Sequence, residues 1–143
     1  MNNILITGGA GFIGRNFIEL LSSNYGKIYI IDNFSLGLRE AFSSDKIKVI
    51  EFDLKNEFKM YDEIDCEEVH EIWHFAANSD IPSGIKNINV DFENTFITTL
   101  NTIKIANKYK VKKFNFASSS AVYGDWDIAL KESLGPLKPI SNY

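Results

Sequence analysis

The feature that most constrains this chain is Thr7-Gly8-Gly9-Ala10-Gly11-Phe12-Ile13-Gly14, because of what stands on either side of it. Ile4-Leu5-Ile6 before it reads as a strand, and Phe12, Ile13, Phe17, Ile18, Leu20 and Leu21 recur at helical spacing after it. A glycine triplet alone says little. Strand, glycine turn and helix in succession are the layout of a dinucleotide phosphate site. Gly8 permits the tight turn, Gly11 leaves room for the backbone to approach a pyrophosphate, and Gly14 lets the helix lie close to the strand. The first helical N–H groups, at Phe12 and Ile13, have no partner within the helix and carry its positive end, so they are candidate phosphate ligands. The bland alternative is an ordinary glycine-rich strand–helix turn.

An acidic residue further on weighs against that alternative. Asp32 closes the second apolar run, Ile28-Tyr29-Ile30-Ile31. A carboxylate at that strand tip can accept hydrogen bonds from both hydroxyls of an adenosine ribose, and its charge repels a 2′-phosphate, so Asp32 favours NAD over NADP. Arg39 is the counter-signal, since an arginine there could greet a 2′-phosphate. Followed by Asn33, Asp32 also fits a plain strand-end turn.

The chain has 143 residues, 45% of them hydrophobic, which suffices for one sizeable core and one domain. A net charge of −4 argues against a nucleic-acid surface. The densest basic cluster, Lys110-Val111-Lys112-Lys113, falls where a helix should end and complements its dipole. The single cysteine, Cys66, excludes an internal disulfide and fits a reducing compartment, so a cytoplasmic location is expected. No apolar stretch is long enough for a signal peptide or a bilayer span, so no membrane association is expected.

Strands are expected at 3–7, 27–31, 47–51, 69–75 and 112–117, and helices at 12–23, around 57–63 and across roughly 90–109. The strands are short continuous apolar runs, as in a parallel sheet covered on both faces. Alternating strands and helices imply right-handed crossovers and an α/β, Rossmann-type doubly wound sheet of order 3-2-1-4-5. Residues 33–46 are expected to form an irregular loop over the adenosine, with room for a turn of helix at 38–42.

Ligands bind at the carboxyl ends of such strands. After the third strand, Asp53 could accept from an adenine amino group while Leu54 meets the ring face; Asp53 could equally be a turn or cap aspartate. After the fourth, the small residues Ala76 and Ala77 let the backbone approach a cofactor. His74 is taken as a satisfied, half-buried histidine, and no His- or Cys-rich cluster suggests a metal site. The fifth strand runs into Ser118-Ser119-Ser120-Ala121-Val122-Tyr123-Gly124, beside the nicotinamide end of a bound dinucleotide. A serine hydroxyl there can bond a substrate oxygen during hydride transfer.

Taken together the motifs resemble an extended short-chain dehydrogenase/reductase of the NAD-dependent epimerase/dehydratase family, which acts on nucleotide sugars. The matching pieces are Thr7 to Gly14, Asp32-Asn33-Phe34, Asp53-Leu54, His74-Phe75-Ala76-Ala77, Ser118 to Gly124, and Pro139-Ile140-Ser141-Asn142-Tyr143, in family order across the whole chain. The resemblance implies that Gly8, Gly11 and Gly14 serve the pyrophosphate, Asp32 with Asn33 the ribose, and Asp53 with Leu54 the adenine. It implies catalytic roles for Ser119 and Tyr143, the tyrosine taking a sugar hydroxyl proton while Ser119 bonds the same oxygen. Tyrosine ordinarily ionises near pH 10, and in the family a lysine one helical turn further on brings it down.

That lysine position lies beyond Tyr143, where the sequence stops. The resemblance therefore implies the N-terminal, cofactor-binding part of a longer enzyme, truncated before the catalytic helix and inactive by itself. Relatives that dehydrate or decarboxylate carry an acid in the triplet occupied here by Ser119-Ser120-Ala121. Ala121 cannot do acid–base work, which leans the expectation toward a nucleotide-sugar epimerase, with a reductase next and a dehydratase third. A non-catalytic NAD-binding module is the alternative of a different class. Thr98-Thr99 departs from the Gly-Thr of many relatives. The family also implies a homodimer through the helix near 90–109, with Phe92, Phe96, Ile97, Leu100, Ile103 and Ile105 losing cover.

Overall fold

The five expected strands pair into one all-parallel sheet. In the computed structural model, which describes residues 1–39, 42–57, 61, 66, 68–141 and 143, the strands are β1 (Ile4–Thr7), β2 (Ile28–Asp32), β3 (Ile47–Glu51), β4 (Glu71–His74) and β5 (Lys113–Phe116). Their order is β3-β2-β1-β4-β5, as expected. Thr7 aligns with Ile31 on one side and His74 on the other, so the strand tips end together along one edge. The central β1 is buried at every position, the pattern that a sheet sandwiched between helices demands.

One face is covered by α1 (Phe12–Leu21), which runs on into a 3₁₀ turn, Ser22–Asn24. The helix meets the sheet through Phe17 and Ile18, while Gly14 lies against Gly8 and Gly9 of the turn. Phe17 packs its ring on Trp73 at 4.4 Å and on Phe75 at 5.4 Å, beside the core of Ile4, Ile6, Ile28 and Ile30. Phe12, Ile13 and Leu20, expected on the apolar face, are exposed.

Opposite lies a nearly continuous helical stretch in three parts: α3 (Ile88–Asp91), a π-helical segment (Phe92–Ile97) and α4 (Thr98–Lys108). It matches the helix expected at 90–109. Ile105 is fully buried against Leu5, Tyr29, Ile31 and Ile72, so it does not belong to the uncovered set. The hydroxyls of Thr98, Thr99 and Thr102 donate back to the carbonyls of Asn94, Thr95 and Thr98 at 2.7–2.8 Å, and such bonds compete with the helical ladder. A short helix that the pattern did not reveal, α2 (Ile81–Lys86), starts at Asp80, whose carboxylate accepts from the Ser83 N–H at 3.1 Å, with Pro82 in the first turn. The helix expected around 57–63, and part of the turn at 38–42, lie outside the described residues. Among the described residues no helix is long and apolar enough to cross a membrane.

Candidate functional site

A cleft of about 920 Å³ opens over the carboxyl ends of β1, β2 and β4, with the first turn of α1 on its rim. Gly8, Gly11, Phe12, Ile13, Gly14, Asp32, Asn33, Asp53, Leu54, Ala76 and Ala77 all line it, so ligand candidates from four separate stretches of sequence meet in one place. Gly8 adopts φ of 67°, and a Cβ there would come within 2.6 Å of the Ala76 nitrogen. Its N–H donates to the Ile31 carbonyl at 2.8 Å, which ties the turn to β2. A Cβ on Gly14 would reach 2.6 Å from the Gly9 Cα. At Gly11 a Cβ would meet only the Gly8 oxygen, at 3.2 Å, and otherwise point into space. Gly11 is also the N-cap of α1 and offers no capping side chain, so the first-turn N–H groups at the rim are left for an anion.

Asp32 does more than face the cleft. One carboxylate oxygen accepts from the Ala10 N–H at 2.9 Å and the other from the Phe34 N–H at 2.8 Å. It thus pins the glycine turn and the loop after β2 together, and each oxygen keeps a lone pair for a further donor. Asn33 reaches across to Asp53 at 3.4 Å and accepts from the Ser35 N–H at 3.0 Å. Asp53 also accepts from the Lys55 N–H at 3.0 Å, so the turn role weighed for it is present in the structure. Leu54 is almost wholly buried in the core beneath the cleft, and its carbonyl is held by Asn101 at 2.7 Å. A glycine-lined cradle, free helix N–H groups and a carboxylate at the next strand tip fit a dinucleotide: pyrophosphate over Gly11 to Ile13, ribose at Asp32.

His74 holds a buried hydrogen-bond chain that sequence spacing could not show. The Ala76 N–H donates to the Thr7 hydroxyl, whose own oxygen lies 2.5 Å from His74 Nδ1. On the other side His74 Nε2 lies 2.9 Å from the Thr99 hydroxyl, which itself donates to the Thr95 carbonyl at 2.7 Å. Since the Thr99 proton is spent on Thr95, Nε2 must carry the proton and Nδ1 must accept from Thr7. Every group is satisfied by a neutral ring. Burial accordingly pushes the histidine pKa down to about 4. The satisfied histidine expected from the sequence is found, but it is fully buried rather than half-buried. Its chain ends at the π-helical segment, where Thr95 also accepts from the Asn78 N–H at 3.1 Å and the buried Asp91 accepts from the Asn78 amide at 2.7 Å. Asn78 lines the cleft, so this network braces its β4 wall.

Ser119 and Tyr143 are not among the residues lining the cleft. Ser119 stands beyond the tip of β5 and caps a 3₁₀ turn, Ser120–Tyr123, by accepting from the Ala121 N–H at 3.1 Å. Burial, together with the negative charge of Asp91, pushes the Tyr143 hydroxyl above its ordinary pKa. Among the described residues no group of three His, Cys, Asp or Glu side chains could hold a metal ion.

Known proteins share both sequence and fold with this chain. Residues 4–143 match the model of the NAD dependent epimerase/dehydratase family. A UDP-glucose 4-epimerase of Corynebacterium glutamicum is 30% identical over 141 residues, which are 98% of this chain and 42% of that protein. The crystal structure of the Thermus thermophilus UDP-glucose 4-epimerase in complex with NAD superimposes with a TM-score of 0.84 at 27% identity, covering 99% of this chain and 46% of that one. The dTDP-glucose 4,6-dehydratase DesIV of Streptomyces venezuelae, with NAD and TYD bound, also gives 0.84 at 27% identity, covering 99% and 47%. The chain spans less than half the length of the curated relatives it matches.

Proposed function

The chain belongs to the NAD-dependent epimerase/dehydratase family, and from that premise we propose that it is the NAD-binding part of a nucleotide-sugar epimerase. The observation that carries the NAD reading is Asp32, at the tip of β2 and bonded to the backbone of the glycine turn. It joins the ribose position to the pyrophosphate position in one rigid unit. The epimerase reading rests on Ser119-Ser120-Ala121, where no acid stands ready to protonate a leaving hydroxyl. When bound, NAD supplies a hydride acceptor at its nicotinamide. Ser119 would hydrogen-bond a sugar oxygen. Tyr143 would take that oxygen's proton only once a cation lowered its pKa, since its present surroundings hold the phenol protonated.

Titration calorimetry tests the NAD reading. The chain binds NAD, and Asp32→Ala weakens it about 100-fold or more, since each of two hydrogen bonds to a charged acceptor is worth at least about 1.5 kcal/mol after solvation. NADP loses less, because the variant also removes repulsion of its 2′-phosphate. Equal losses for the two cofactors would remove Asp32 from the ribose site.

We also propose that the exposed side of the long helix pairs with a second copy of the chain. Phe92 and Phe96 stack at 5.5 Å on that surface, and Leu100 and Ile103 continue it, all four exposed. Sedimentation equilibrium at micromolar concentration should give a dimer mass that Leu100→Asp shifts to monomer. A monomer mass for both proteins would exclude this interface.

A further inference from the structure

Asp32 and Glu51 end neighbouring strands in register, so two carboxylates stand side by side at the edge of the sheet where the ribose position lies. Only one of them is open toward the cleft. Glu51 is taken up by Arg39, whose two terminal guanidinium nitrogens donate to its two carboxylate oxygens. The same guanidinium lies over the Phe34 ring, 4.7 Å from its centre. Phe34 has φ of 54°, and its N–H is the one held by Asp32. Arg39 is therefore tied to both neighbours of the ribose carboxylate, one across the sheet and one along the chain. Its planar fork fits phosphate as well as carboxylate, so a 2′-phosphate arriving beside Asp32 would find the Arg39 guanidinium already bidentate on Glu51.

We propose that Glu51 is a cofactor-selectivity residue: by engaging Arg39 it denies that guanidinium to a 2′-phosphate and adds to the exclusion of NADP that Asp32 begins. This rests on the dinucleotide reading of the cleft. Both side chains of the pair are more than half exposed, so the device is a bias rather than a barrier. In the sequence Arg39 by itself is a counter-signal to the NAD preference of Asp32, since it could greet a 2′-phosphate. Register and the ion pair reverse that reading.

The test is titration of the chain with NAD and NADP in four forms: parent, Glu51→Ala, Arg39→Ala and the double variant, each checked by thermal melting for an intact fold. Glu51→Ala should tighten NADP about fivefold and leave NAD within about twofold, the scale of an exposed ion pair. Adding Arg39→Ala should erase the gain. Unchanged NADP affinity in Glu51→Ala, with NAD still bound, overturns the selectivity role alone. A gain that survives in the double variant also overturns it, since the effect would then belong to the charge of Glu51 and not to a released arginine. A parent chain that binds neither dinucleotide overturns the reading beneath, and this role with it.

Discussion

Replacing Gly8 by alanine is expected to cost the fold about 2–5 kcal/mol, while the same change at Gly11 leaves the fold nearly intact and abolishes NAD binding. The two glycines are three residues apart in one turn, and they differ in what surrounds them. At Gly8 the backbone is left-handed, φ 67°, which costs an alanine about 1–2 kcal/mol. Its Cβ would also sit 2.6–2.8 Å from backbone atoms of Phe75 and Ala76. Those atoms cannot retreat freely, because the Phe75 N–H donates to the Thr7 carbonyl at 2.9 Å and holds the tip of β4 against β1. Overpacking of that kind adds about 1–3 kcal/mol, and the sum is a large share of the stability of a small domain. At Gly11 the only close atom is the Gly8 oxygen at 3.2 Å, so the protein gives by a few tenths of an ångström and folds. The new methyl then occupies the space a pyrophosphate needs. Urea unfolding and NAD titration on both variants separate the effects. Comparable instability in the two would show that the turn is uniformly packed and that Gly11 is not reserved for a ligand.

The same contrast explains how much could be read from the sequence. The central strands β1 and β2 are legible as short apolar runs, β3 to β5 as shorter and more mixed segments, and the strand order follows from alternation with helices. The glycine turn, Asp32 and the Ala76-Ala77 pair were legible because each carries its signal in a few adjacent residues. The short helix at Ile81–Lys86 was missed although Asp80 and Pro82 announce it, since six residues are too few to show a helical period. Asp53 stayed ambiguous for a sound reason: it lines the cleft and also closes its own turn. The Arg39–Glu51 pair was out of reach because it depends on the register between β2 and β3. The His74 chain was out of reach because Thr7, His74 and Thr99 come from three elements, and only the fold brings them within hydrogen-bond distance.

That chain makes the protein acid-sensitive in a definite window. The folded pKa of His74 lies near 4, below the ordinary 6.5, so the unfolded chain binds the proton more readily. The stability contribution is whole above pH 6.5, falls as pH drops toward 4, and stays flat below that. At about 1.4 kcal/mol per tenfold, the gap between the two pKa values amounts to about 3 kcal/mol. Burial of the ring is the cause, and the direction of the hydrogen bonds acts the same way. A second ring proton would land on Nδ1, which needs the Thr7 hydroxyl as its donor; turning that hydroxyl leaves its proton without an acceptor in a site that water does not reach. Urea unfolding of the parent and of His74→Gln at steps between pH 7 and pH 4 isolates the effect, because subtracting the two curves removes every titrating group they share. The parent should lose about 3 kcal/mol more than the variant across that range. Parallel curves would mean that the fold accepts a charged imidazolium, and the one-way chain from Ala76 through Thr7, His74 and Thr99 to Thr95 would have to be abandoned.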